Sequence, residues 1–261
     1  MVALIRRFLY KTYAGHLRAQ IAQGLLPEHI AVILDGNRRF AESSGSISAS
    51  AGYRQGAHKV YELLDWCQDL GIDQVTLWVL STDNLKRPPE QVESLCHVIE
   101  EEIVEIAQRQ AESQTPRQIR FFGQLDALTP TLRESLSTAR EMTEGYYQYY
   151  LNIGIAYGGR EEIVDAVRDL LVKYEQEGSG LKEAAQRVTV GEIGSHLYLK
   201  EIPEPDLIIR TSGEVRLSGF LLWQSVHSEF YFCDAYWPAF RNIDLLRAIR
   251  SFQQRKRRYG R

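Results

Sequence analysis

The stretch His29-Ile-Ala-Val-Ile-Leu-Asp-Gly-Asn-Arg-Arg-Phe40 decides the reading of this chain. Ile30 to Leu34 is a continuous apolar run, as expected of a strand buried on both faces of a parallel sheet. It stops at an acid, Asp35, and a turn dipeptide, Gly36-Asn37. Arg38 and Arg39 follow at once. A carboxylate, free backbone N–H groups and two guanidiniums therefore meet at the C-terminal end of one strand, where open α/β sheets bind their ligands. Arginine forks fit phosphate oxygens in bidentate fashion, and a carboxylate can hold the Mg²⁺ that such phosphates carry. Taken alone, the stretch is equally a strand followed by a solvated polar turn.

Two further blocks repeat the pattern. Gln74 to Leu80 is a second buried-strand run, and it ends in Ser81-Thr-Asp-Asn-Leu-Lys-Arg87 before Pro88-Pro89. Asp206-Leu-Ile-Ile-Arg210 runs into a Gly-containing loop that carries Arg216, Leu217 and Ser218. Three strand ends with arginines and hydroxyls, and acids at 35 and 229, suit two diphosphate groups and a metal. Further strands are expected at 117–123, 149–157 and 228–233. Helices are expected at 53–70, from Pro88-Pro89 to about residue 112, at 129–144, at 161–177, as two shorter pieces reaching Leu199, and from 242 onward. Glu42 to Ser50 has no apolar periodicity and reads as a loop. Strands alternating with helices imply a mostly parallel sheet covered on both faces. With neither an internal repeat nor a break in composition, residues 1–261 read as one domain.

Residues 2–24 mix basic residues with Leu4, Phe8, Leu9, Tyr13, Leu17 and Ile21 at helical spacing. That pattern suits an anionic membrane surface or packing on the domain or on a partner chain, and the short polar face favours packing. The net charge of −3 does not point to nucleic acid. Cys67, Cys96 and Cys233 are far apart and lack CxxC or His spacing, which argues against a disulfide framework or a zinc site and for a reducing compartment. No run reaches the roughly 18 apolar residues of a spanning helix. Arg6, Arg7, Lys11 and Arg18 interrupt any signal-peptide core, so a cytoplasmic location is expected.

HIAVILDGNRRFA, STDNLKRP and DLIIRTSGEVRLSGFLLWQSVHSEFYF, with WPAF at 237–240, closely resemble the cis-prenyltransferases, or isoprenyl transferases, a family that includes undecaprenyl diphosphate synthase. The resemblance runs from about residue 28 to the C-terminus. It implies a single α/β domain with a six-stranded parallel sheet and a hydrophobic tunnel. It also implies Mg²⁺-dependent condensation of isopentenyl diphosphate with an allylic diphosphate, geranyl or farnesyl, to form a Z double bond.

By the same resemblance, Asp35 would ligate Mg²⁺, with Glu229 as the second metal-associated acid. Gly36, Asn37, Arg38 and Arg39 would cradle the allylic diphosphate, and Phe40 would form a wall beside the chain. Arg210, Arg216 and Ser218 would bind isopentenyl diphosphate, with Leu217 between them. Ser81 and Arg87 would sit between the two sites, with Thr82, Asp83 and Leu85 in the same turn. Asn84 matches the family's proton-removing asparagine, yet an amide has no useful basicity near neutral pH. Asn84 is better suited to orienting substrate while a diphosphate oxygen or Asp35 takes the proton. Arg258-Tyr259-Gly260 fits a tail that reaches a diphosphate site across a homodimer.

Departures from the family pattern are equally specific. Arg38 stands where most relatives have Gly. Tyr53 stands where a phosphate-contacting histidine is usual, and a loop arginine is missing, for which Arg38 or Arg54 could substitute. GNRRFA with GYRQG most resembles the short-chain (Z)-farnesyl diphosphate synthase branch, and Val79 replaces a common Ala on the expected tunnel wall. A short product is therefore expected. The alternatives are a long-chain undecaprenyl synthase and, more remotely, a non-catalytic partner subunit of the same fold. An apolar product is also compatible with peripheral membrane contact. A nucleotide-binding α/β protein is disfavoured, since neither GxxxxGK[ST] nor GxGxxG follows the first strand.

Overall fold

Six short strands carry the fold, and each owes its place to an apolar run. In the computed structural model, which describes residues 2–45 and 49–256, β1 is His29–Ile33 and β2 is Gln74–Trp78. β3 is Arg117–Phe122, β4 Tyr149–Gly154, β5 Leu207–Arg210 and β6 Glu229–Phe232. All pair in parallel, in the order β3-β4-β2-β1-β5-β6. Every residue of β1 is buried, as expected of a central strand covered on both faces. The chain builds outward from β1 in one direction through β2 to β4, then returns to place β5 and β6 on the other side. The order of connection therefore reverses between β1 and β5, and that is where an open α/β sheet leaves a crevice.

The helices follow the expected rhythm: α1 (Val2–Ile21), α2 (Asn37–Ser43), α3 (Ala49–Leu70), α4 (Pro89–Glu112) and α5 (Pro130–Thr143). After β4 come α6 (Gly159–Gln176), α7 (Leu181–Arg187), α8 (Val190–Gly194) and finally α9 (Asn242–Lys256). Leu17 and Ile21 of α1 are buried in the main core beside α9, and Tyr13 packs against it, whereas Phe8 and Leu9 are exposed. All three cysteines are buried and unbridged. Among the described residues, no helix is long and apolar enough to cross a membrane.

Two boundaries differ from the sequence reading. The polar segment after β1 is helical: α2 starts inside the Gly36-Asn37 turn, and α3 begins at Ala49 rather than Tyr53. Gly36 permits this start at φ 101°, and a Cβ there would meet Tyr236 Cδ1 at 2.6 Å. Gly52 lets α3 approach α2, because a Cβ there would overlap the Asn37 carbonyl oxygen. Glu229 also stands at the start of β6, where the sequence grouped it with strand ends.

Candidate active site

One cavity of about 520 Å³ opens at the C-terminal ends of β1, β2 and β5 and runs between the sheet and helices α3 and α4. Its polar end is built from the residues just past the strands. Asp35 follows β1, Ser81 and Asn84 follow β2, and Arg210 closes β5, with Arg216 and Ser218 in the loop beyond. Gly36, Asn37, Arg38, Arg39 and Arg87 line the same end. Its apolar part is walled by Leu77, Val79 and Ile153 from the sheet side and by Val60, Val98 and Ile103 from the helices.

Asp35 is the hub. Its Oδ2 accepts from Arg210 Nη2 at 2.8 Å and its Oδ1 from Arg39 Nη2 at 3.3 Å. Its backbone is fixed on both sides: Thr211 Oγ1 accepts from the Asp35 N–H, and the Trp237 N–H donates to the Asp35 carbonyl. Burial pushes the Asp35 carboxyl upward, but hydrogen bonding to Arg210 and Ser212 and the charges of Arg210 and Arg39 outweigh it. The group is held below the usual carboxylate range. Asp35 is thus an ionised, oxygen-donor ligand that faces a cavity. Mg²⁺ needs one or two carboxylates and fills its other positions with water and substrate phosphates, so this donor set fits it.

Arg210 is 5% exposed and also donates to Ser218 Oγ at 2.7 Å and to the Arg216 carbonyl at 2.6 Å. Its Nε is buried without a partner. Ser212 and Ser218 hold φ of 79° and 52°, values uncommon for residues with a side chain, and this bends the loop around the guanidinium. Arg38 donates to Gln91 Oε1 on α4 at 2.9 Å. Of the two candidates for the missing loop arginine, Arg38 lines the cavity, whereas Arg54 turns outward to pair with Glu101. Tyr53 is buried and lines the cavity, and its hydroxyl has no protein partner, leaving a donor for a bound phosphate oxygen.

Asn84 sits in a reciprocal cap. Ser81 Oγ accepts from the Asn84 N–H, and Asn84 Oδ1 accepts from the Ser81 N–H, each at 3.1 Å. Its amide N–H groups can hold a phosphate oxygen, and a neutral amide oxygen is too weakly basic to take a proton near neutral pH.

Several expected residues stand elsewhere. Phe40, Thr82, Asp83, Leu85 and Leu217 do not line the cavity. Phe40 is half-buried on α2, Asp83 pairs with Lys86 at the surface, and Leu85 and Leu217 pack against the core. Glu229 pairs with Arg255 at 3.3 Å at the N-terminal end of β6, so within one chain it lies across the sheet from Asp35. Among the described residues no cluster of three metal-ligating side chains forms. Arg258 lies outside the described residues. Sequence reasoning also missed Glu214, which pairs with both Arg39 and Arg216, and Ser212, which accepts from Arg39 at 2.8 Å. Both lie inside the TSGEVRLS loop, so the loop carried a signal that its individual residues did not.

This arrangement of a parallel α/β sheet, a carboxylate–arginine crevice and an attached apolar cavity has matched relatives. Residues 33–260 match the prenyltransferase family described as "Putative undecaprenyl diphosphate synthase". An isoprenyl transferase of Thermus thermophilus is 48% identical over 257 residues, covering 98% of this chain and 97% of the relative. The (2Z,6E)-farnesyl diphosphate synthase of Thermobifida fusca is 48% identical over 259 residues, covering 99% and 100%. Lavandulyl diphosphate synthase from Lavandula x intermedia, solved with dimethylallyl diphosphate, superposes with a TM-score of 0.81 at 31% identity, over 87% of this chain and 95% of that one. The chain belongs to the cis-prenyltransferase family and is an enzyme of that class.

Proposed function

We propose that this enzyme condenses isopentenyl diphosphate with an allylic diphosphate, geranyl or farnesyl, and releases a short Z-configured prenyl diphosphate. The observation that carries the reading is the single cavity in which an arginine-lined strand-end crevice continues into an apolar space between the sheet and α3 and α4. One molecule with a charged head and a hydrocarbon tail fits both parts. A volume of about 520 Å³ is that of a pocket for a drug-sized ligand, which favours a short product over a long polyprenyl chain.

In the reaction, the allylic C–O bond breaks and its electron pair leaves with the diphosphate. The isopentenyl π electrons form the new C–C bond, and one proton is then lost. Arg38, Arg39 and the Gly36-Asn37 turn hold the departing diphosphate. Arg210, Arg216 and Ser218 hold isopentenyl diphosphate. Bound Mg²⁺ would supply charge neutralisation on the leaving group, with Asp35 holding it. Asp35 is a poor base while two arginines depress its pKa, so a diphosphate oxygen takes the proton. The enzyme works as a homodimer, with Arg258 reaching the neighbouring site.

The test is incubation with radiolabelled isopentenyl diphosphate, each primer and Mg²⁺, followed by thin-layer separation of the dephosphorylated products. A dominant product of three or a few isoprene units supports the reading. A dominant chain of ten or more units makes the enzyme a long-chain synthase, and no product at all refutes condensation.

A further inference from the structure

Helix α4 lays Leu95, Val98, Ile99, Ile103 and Ile106 along the cavity, the spacing of one helical face. Glu102 lies on the same face and lines the same cavity. It is 8% exposed and, among the described residues, takes one hydrogen bond, from Tyr61 Oη of α3 at 3.3 Å. Burial raises its carboxyl above the ordinary glutamate range, against the opposing charge of nearby His58. Neighbouring acids behave as helix-surface groups should. Glu100 accepts from Thr129 and Thr131, Glu101 pairs with Arg54, and Glu105 pairs with Arg109. Glu102 alone of these four is buried. A carboxyl set into a hydrocarbon-binding wall is costly and is seldom kept there without a partner or a purpose.

Its position along the cavity can be measured. Arg38, at the diphosphate end, is bonded to Gln91 on α4. Gln91 and Glu102 are eleven positions apart, so about 16 Å of helix separates them at roughly 1.5 Å per residue. An isoprene unit adds four main-chain carbons, roughly 5 Å when extended, given C–C bonds of about 1.5 Å.

We infer that Glu102, held by Tyr61, is a specificity-determining residue that ends the hydrocarbon path about three isoprene units from the diphosphate end. The inference rests on the condensation proposed above and deepens it. A chain of that length fills the apolar wall up to Ile99. A further unit would lie against the carboxyl, displacing its water and offering no hydrogen bond in return. Geranyl diphosphate is then extended once, and farnesyl diphosphate is a poor primer.

Glu102→Leu removes the carboxyl at similar volume and joins Ile99 to Ile103 and Ile106 as one apolar wall. With labelled isopentenyl diphosphate, geranyl diphosphate and Mg²⁺, its products should lengthen by at least one unit. Farnesyl diphosphate should also become a primer. A folded Glu102→Leu with the wild-type product and primer choice overturns the inference. Should that variant not fold, wild-type enzyme provides the second measurement. Unreactive prenyl thiolodiphosphates of two, three and four units are titrated calorimetrically. Affinity should rise from two units to three and gain nothing at four, and steady tightening through four units overturns the inference. Wild type that makes no product, or a chain of ten or more units, removes the proposed function and this inference together. A short wild-type product that Glu102→Leu leaves unchanged removes the inference alone.

Discussion

Replacing Asp35 separates two roles, partner of Arg210 and proposed metal ligand, that fall on one carboxylate. Asp35→Ala deletes the acceptor for Arg210 and Arg39 and also the proposed metal ligand. The stability cost is bounded by what Arg210 keeps. It still donates to Ser218 Oγ and to the Arg216 carbonyl, so the loss is close to one charge-assisted hydrogen bond, about 1.5–3 kcal/mol. That corresponds to a Tm lower by roughly 3–12 °C in a domain of this size, which leaves the protein folded at assay temperature. Turnover should fall much further, by roughly a hundred- to thousandfold or more, because leaving-group stabilisation of this kind acts in the transition state. Steady-state condensation with and without Mg²⁺ measures that arm. A second arm concerns charge. In EDTA, inorganic diphosphate must compete with Asp35 for the guanidiniums of wild type but not for those of the variant. The variant should therefore bind diphosphate at least as tightly by calorimetry while its Mg²⁺ stimulation disappears. Activity within tenfold of wild type, or Mg²⁺ stimulation preserved in Asp35→Ala, would refute the reasoning.

Val79→Ala should lengthen the product, since Val79 lines the apolar part of the cavity and the change removes two methyl groups; an unchanged chromatogram contradicts this. Deleting residues 257–261 should impair the use of isopentenyl diphosphate more than it lowers Tm, and light scattering should report a dimer. Unchanged kinetics or a monomer counts against the proposed cross-dimer role of Arg258. His29 is buried, with Nε2 2.7 Å from the Thr76 hydroxyl oxygen and Nδ1 2.7 Å from the Pro203 carbonyl oxygen; burial lowers its pKa to about 4. The unfolded chain, with an ordinary value near 6.5, binds the proton first, so stability in urea should fall as pH drops from about 6.5 toward 4, by up to roughly 3 kcal/mol, and His29→Gln should flatten that slope.

What the sequence could reveal followed from signals that are local along the chain. The apolar runs at 30–34, 74–80 and 207–210 each ended in polar residues, and those ends meet because parallel strands bring all their C-termini to one edge. Pro89 at the first turn marked the start of α4 because its ring fits that position and no other in a helix. What stayed hidden depended on distant packing. Glu229 heads a half-buried edge strand, EFYF, and only its register with Leu207 shows that it faces away from the crevice. The seven residues of α2 are too few to show periodicity, so they read as loop. Glu102 belongs to a run of three glutamates that reads as a solvated helix face, and its inward turn depends on where α3 lies. Val79 lines the cavity wall from just beyond its strand. β2 ends at Trp78, and the N–H groups of both Val79 and Leu80 donate to the Gly154 carbonyl, yet Val79 and Ser81 still share the cavity side.

The pairing within the polar end gives a reason for a metal and a diphosphate to bind together under the proposed function. Five arginines, at 38, 39, 87, 210 and 216, converge there, and Arg210 is almost fully buried. A buried guanidinium without an anion is costly, and Asp35 and Glu214 supply counter-charges. When a diphosphate enters, its oxygens can take the guanidiniums only as the carboxylates let go. Asp35 would then be a buried anion beside another anion, unless a cation arrives with the substrate. Under the proposed function Asp35 would hold Mg²⁺ carried on the diphosphate, and the ion would supply the positive charge that the arginines turn toward the phosphate. In the proposed function the acid would serve twice, as the partner of Arg210 and as a ligand for Mg²⁺.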